Sequence, residues 1–286
     1  MTLALGYKHP REFRHISPEK VAELERRVID SFRCMQNAPL ILSGGLAIQF
    51  LTKLYSERDK ESLELYSLHL KNPVDGFYRD SSGVIHYTCM EQDLETIAAK
   101  TEENGMGIYQ ITSTASIGGG IKVDAAHPIT PKQIREGRET WKREKHTSHR
   151  LRIMKNANVK GHRIGDYFDL FVHHYKDSQN NIVTRDGYKF TAGERLVSQS
   201  EVYIVSNKEG ITLPLASFQP IQLCLEGTKI SIANPKYLFE VKKEHMKKRE
   251  KEGKKDDPRD IVDLDVLNAI LQYTQTSVLD RIRNAA

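Results

Sequence analysis

The sequence predicts an α+β fold: a mixed β-sheet in the middle of the chain, flanked by helices, with a helical C-terminal part. Three observations lead there. Apolar residues recur at three- and four-residue spacing near the N-terminus and again after Pro235. Between those stretches, short β-branched and aromatic runs alternate with turns containing glycine. Near the start, an apolar strand-like run stops at a Gly-Gly pair and a helix-like run follows at once. No internal repeat or low-complexity tract is evident.

In chain order, Ser17-Pro18 reads as a helix start, Ser as the cap and Pro at the first helical position. Val21, Leu24, Val28, Phe32 and Met35 give that helix one apolar face, and it should end near Gln36-Asn37. Residues 39–42 suit a buried strand and residues 46–51 a helix. Residues 56–83 mix charges with Pro73, Gly76, Asp80 and Gly83, which reads as an insertion. Residues 84–89, 107–112 and 121–123 read as strands, whereas 93–100 fit a helix or an extended segment equally well. Pro131–Ile134 should open a short helix, and Gly118–Gly120 reads as a flexible loop or hairpin tip. Residues 149–154 and 167–172 read as two strands joined by a polar segment, the requirement for an antiparallel pair. Further strands are expected at 201–205, 220–225 and 229–232. The last long helix should bury Ile261, Leu264, Leu267 and Leu271.

Composition narrows the class. The 286 residues suffice for one large domain or two small ones. Hydrophobic residues at 38% make the chain too apolar for a disordered one. No run reaches the roughly 20 apolar residues needed to span a bilayer, and the N-terminus does not read as a signal peptide, so the expected compartment is cytoplasmic. Cys34, Cys89 and Cys224 are odd in number and far apart, against a disulfide framework; each is expected to be a small buried hydrophobe. The net charge of +5 is mild. Basic residues gather at 142–152 and 242–255, and an RNA-binding protein using these stretches is one reading. Solvated surface is the plainer one.

Four elements could carry chemistry. Ser43-Gly44-Gly45 lies between strand and helix, where glycines let backbone approach a phosphate and the helix start offers N–H groups. No Gly-Lys-Ser/Thr follows, so it is not a P-loop. Asp93-Leu94-Glu95 would place two acids on one face of a strand, able to share a hard cation such as Mg²⁺; Glu91-x-Asp93 is a competing register. In a helix these acids would be ordinary surface charges. Asp169 interrupts the apolar run Tyr167–Val172, and a carboxylate there must face solvent, pair with a cation or bind metal. Finally, Asp260 and Asp263 share a helix face behind Lys242. Histidines are frequent at 146, 149, 162, 173 and 174, but no zinc-binding spacing accompanies them.

Together these elements resemble the nucleotidyltransferase (DNA polymerase beta-like) superfamily. Ser43-Gly44-Gly45-Leu46-Ala47 is similar to its glycine motif, Asp93-Leu94-Glu95 to its metal-binding pair and Asp169 to its third carboxylate. The segment from Asn234 to Lys242, with Arg259-Asp260-Ile261-Val262-Asp263-Leu264, resembles the AbiEii-type branch, which includes bacterial abortive-infection toxins. The gap between Gly45 and Asp93 exceeds the family's, so the resemblance requires the insertion at 56–83.

The resemblance implies a nucleotidyltransferase-like domain at 1–232, with its catalytic core at 38–175, and a helical region at 233–286 packing on it. It implies transfer of a nucleoside monophosphate from a triphosphate to a hydroxyl of RNA or tRNA, a protein or a small molecule, with a toxin among the possible roles. Asp93, Glu95 and Asp169 would hold Mg²⁺ or Mn²⁺. Ser43, Gly44 and Gly45 would seat phosphates, and Asp169 would help deprotonate the acceptor. Lys242 would offset charge on the pyrophosphate, with Asp260 and Asp263 orienting it or fixing the C-terminal helices. An inactive relative that only binds nucleotide is the alternative.

Overall fold

The computed structural model describes residues 18–35, 38–58, 85–117, 120–129, 151–155, 167–187, 189–206, 211–254 and 258–285. The expected insertion, apart from the end of the preceding helix, and the short helix expected at 131–134 lie outside them, as do His146, His149 and His162.

The fold is α+β. Its spine is an eight-strand path in the order β12–β13–β1–β2–β6–β5–β3–β4. The first strands are β1 (Ile41–Ser43), β2 (Ile85–Met90), β3 (Met106–Ile117) and β4 (Gly120–Ile129). Then come β5 (Leu151–Lys155), β6 (Tyr167–Asp177), β12 (Ile221–Leu225) and β13 (Thr228–Ile232). The sheet is mixed because β1 runs parallel to β13 and antiparallel to β2, while β2 runs parallel to β6. β5 and β6 are the expected antiparallel pair, with Leu151 opposite Leu170 and Ile153 opposite Phe168. β3 and β4 pair as far as Ile117 and Gly120, so the last of the three glycines read as a loop or hairpin tip already belongs to β4.

The far half of β6 carries strands that the hydrophobic pattern did not announce: β7 (Ile182–Asp186), β8 (Lys189–Ala192) and β9 (Arg195–Val197). β10 (Val202–Ser206) also pairs with β6, and β11 (Ile211–Pro214) pairs with β10. Asp177 builds the turn into β7: its Oδ1 accepts from the backbone N–H groups of Gln179 (2.9 Å) and Asn181 (2.8 Å).

Helices cover both faces of the sheet. On β2, Ile85, Tyr87 and Cys89 point one way and His86, Thr88 and Met90 the other; five of the six are buried. The Tyr87 face meets α1 (Pro18–Cys34), through an edge-on Phe32–Tyr87 contact at 5.5 Å and a hydrogen bond between Ser31 Oγ and Tyr87 Oη. Burial pushes the Tyr87 phenol up, despite the opposing pull of Ser31 and Arg27. The opposite face meets α4 (Pro235–Lys251): Tyr237 Oη and His173 Nε2 lie 2.7 Å apart, with Phe218 edge-on to both rings. His173 is therefore buried in packing, while the next residue, His174, is half-buried on the other side of the strand.

α2 (Gly44–Arg58) packs on β1 and β2, and α5 (Pro258–Ala285) packs on both α2 and α4. Because α5 lies against two helices, its buried positions are Asp260, Asp263, Val266, Leu267, Ala269 and Ile270. Of the expected stripe only Leu267 is fully buried. One apolar cluster runs from Val28 to Ile270 and includes Tyr237 and Leu238 of the helical C-terminal part. Cys89 is buried as expected, but Cys34 and Cys224 are exposed. Cys34 ends α1 on its solvent side, and Cys224 takes an outward position on the alternating strand β12.

Candidate functional site

The β1–α2 junction forms where the apolar run Leu40–Leu42 meets two glycines. Gly44 opens α2 at φ 71°, in the left-handed region that side chains resist. A Cβ there would lie 2.7 Å from His86 Nδ1, so both backbone and neighbour demand glycine. At Gly45 an added Cβ meets nothing within 4 Å.

The register assembles the rest. Ser43 lies opposite His86, and His86 lies opposite Asp169. The three residues make one row across β1, β2 and β6, on the face that α4 covers. Ser43 is buried and its hydroxyl points to the His86 carbonyl at 3.5 Å. Asp169 is buried, with Oδ2 3.7 Å from His86 Nε2; the His86 side chain is 31% exposed. Phe171, two residues after Asp169 on the same face, stands edge-on to the His86 ring at 5.4 Å. On its other side Asp169 is in register with Arg152.

A second helix starts at this end of the sheet. β13 runs parallel to β1, and the Ala233 N–H donates to the Leu42 carbonyl at 2.8 Å. Asn234 then caps α4, its Oδ1 accepting from Lys236 N–H at 2.9 Å. The positive ends of the α2 and α4 dipoles thus lie over neighbouring strand ends.

Asp93 and Glu95 are not part of this row. Glu91–Asp93 is a single 3₁₀ turn and Glu95 lies in the first turn of α3 (Leu94–Glu103), so neither register, Asp93/Glu95 or Glu91/Asp93, presents two acids on a strand. β2 ends at Met90, four residues or about 13 Å beyond His86, and the acids lie further on. Of the two readings left open for residues 93–100 the helical one holds: the apolar run already ends at Met90, after which the chain turns to bury Leu94, Ile97 and Ala98. Burial pushes the Asp93 carboxyl up to about 6, against the lowering influence of the Arg185 charge and a hydrogen bond from the Met90 backbone. Its charge in turn adds to the effect of burial in raising the Cys89 thiol.

Lys242, Asp260 and Asp263 do come together, across the α4–α5 interface. Lys242 Nζ lies 2.6 Å from Asp260 Oδ1 and 3.0 Å from Asp263 Oδ2, with the two acid side chains 12% and 5% exposed. Burial alone would lower the Lys242 ammonium, but the charges of Asp263 and Asp260 outweigh it and hold it above its ordinary value. Further along α4, Lys243 pairs with Glu240 and Lys247 with Glu244 on the surface. Lys243, Lys247, Lys248, Lys251 and Lys254 are exposed, whereas Lys242, in the same basic stretch, is enclosed by its two acids.

Sequence reasoning passed over His86. Its strand was legible, but its place beside Ser43 and Asp169 depends on pairing register, which one strand's pattern does not contain. Among the described residues, no group of three or more His, Cys, Asp or Glu side chains is placed to hold a metal ion, and no helix is long and apolar enough to cross a membrane. No protein-family model matches the chain, and no curated protein or solved structure matches it.

Proposed function

We propose that the chain is a nucleotidyltransferase of the kind its motifs resemble. It would seat a nucleoside triphosphate at the β1–α2 turn and pass the nucleoside monophosphate to an acceptor hydroxyl. The observation that carries this reading is the row Ser43–His86–Asp169, which sets a glycine-opened helix start beside a buried carboxylate. Backbone N–H groups at Gly44 and Gly45, with the helix dipole behind them, suit the phosphates. Asp169 is the group that would take the acceptor proton as the acceptor oxygen bonds to the α-phosphorus and pyrophosphate leaves.

The implied Mg²⁺ or Mn²⁺ fits part of the expected donor set. Such an ion often takes one or two carboxylates and completes its shell with phosphate oxygens and water. Asp169 meets that description; Asp93 and Glu95, beyond the other end of β2, do not. When bound, the ion would draw charge from the phosphoryl oxygens. The Lys242 ammonium already faces two carboxylates, which favours a role in joining α4 to α5 over one at the pyrophosphate.

The test is incubation with labelled triphosphates, Mg²⁺ or Mn²⁺, and RNA (tRNA included), protein or small-molecule acceptors. Label should pass to one acceptor class, and Asp169→Ala should abolish it; transfer that survives this change removes the site. A toxin role adds growth arrest on expression, relieved by the same substitution. The displaced Asp93 and Glu95 favour a second reading, a binding module without turnover, which calorimetry would reveal as triphosphate binding with no release of pyrophosphate.

A further inference from the structure

We propose that His86 is a positioning residue for this transfer, its ring setting the distance between the Ser43–Gly45 turn and the Asp169 carboxylate. The inference rests on the nucleotidyltransferase reading and adds to it a residue that the motifs do not contain. Opposite ends of one ring meet the two halves of the site. On the Nδ1 side the ring lies so close to Gly44 that a Cβ would come within 2.7 Å of Nδ1 and 3.3 Å of the His86 Cβ and Cγ. On the other side Nε2 faces Asp169 Oδ2 at 3.7 Å. Phe171 closes a third side, edge-on at 5.4 Å.

Those three neighbours bound the ring on the sides of the turn, the carboxylate and Phe171. The two imidazole nitrogens have separate neighbours, Nδ1 the turn and Nε2 the carboxylate. Removing the ring opens a gap beside Asp169 while leaving the phosphate-seating backbone in place. A misplacement of about 1 Å between reacting groups is enough to cost roughly 100-fold in rate. The 31% exposure of the side chain means that its replacement does not open the core, and that free imidazole can reach the gap.

The experiment compares wild type, His86→Ala, His86→Gln, Asp169→Asn and the His86→Ala/Asp169→Asn double variant. Thermal melting confirms that each is folded, calorimetry gives triphosphate affinity, and labelled transfer gives kcat and KM. His86→Ala should keep its triphosphate affinity within about threefold and lose roughly 100-fold in kcat. Free imidazole should restore part of that loss. The double variant should be no slower than Asp169→Asn, because both changes remove one arrangement. Unchanged kcat in both His86 variants, or losses that multiply in the double variant, would overturn the positioning role while leaving the function standing. Absence of transfer by the wild type with every acceptor class would overturn the function, and this inference with it.

Discussion

Lys242 and Asp263 meet at 3.0 Å across the α4–α5 interface, and Asp260 closes on the same ammonium at 2.6 Å. Two carboxylates around one buried cation hold each other's charge only while that cation is present. Lys242→Met should therefore cost about 3–5 kcal/mol, the range for breaking a buried pair from one side, read as a lower urea midpoint. Adding Asp260→Asn and Asp263→Asn to Lys242→Met should recover most of the loss. A single variant as stable as wild type would show that the charges are not buried together.

Asp93 gives the protein a defined pH dependence. Its carboxyl stands at about 6 in the fold against an ordinary 3.8, so the folded chain holds this proton more tightly than the unfolded one. The resulting stabilisation is fully present below about 3.8 and is lost as pH rises through about 6. Asp93→Asn should melt at a higher temperature than wild type at pH 7.5, and the difference should shrink as pH falls toward 4. Parallel melting curves across that window would contradict the assignment.

The two glycines separate folding from binding. Gly44→Ala forces a side chain into the left-handed region, at about 1–2 kcal/mol, and pushes on the His86 ring as well. Gly45→Ala meets open space and should leave the melting temperature unchanged or slightly raised. If phosphates approach this turn, Gly45→Ala should still weaken triphosphate binding by roughly tenfold, about 1.4 kcal/mol. Full affinity in a stable Gly45→Ala protein would take the phosphates elsewhere.

Tyr237→Phe removes the hydroxyl that faces His173 Nε2 at 2.7 Å in a buried contact. The expected loss is about 1–3 kcal/mol, measurable by urea unfolding, with no change in triphosphate affinity. An undiminished urea midpoint would mean that His173 is satisfied without it.

What could be read in advance divides along physical lines. α1, the β1–Gly-Gly–α2 junction and the β5–β6 pair were legible because each is stated by local periodicity and turn chemistry. β7 to β9 were not: Ile182 and Leu196 are exposed, and the apolar alternation that marks a strand is nearly absent there. Asp93-Leu94-Glu95 matched a spacing, but spacing has meaning only once the backbone is extended, and burial of Leu94 and Ile97 in α3 decided otherwise. Lys242 with Asp260 and Asp263 came together because complementary charges on adjacent helices have few other buried partners. His86 stayed hidden because its importance lies in what stands beside it on two other strands.

The place of β13 has a consequence for biosynthesis. This strand, Thr228–Ile232, lies late in the chain, yet it is the neighbour of β1 on the side away from β2, and β1 ends at Ser43. Until Thr228–Ile232 has emerged from the ribosome, one edge of β1 has no partner, and the Gly44 turn is attached to an unfinished sheet. Pairing across so long a stretch of chain is slow to form, and an open strand edge invites association with other chains. A nascent chain stalled between β6 and β13 would carry Ser43, His86 and Asp169, but with that edge bare.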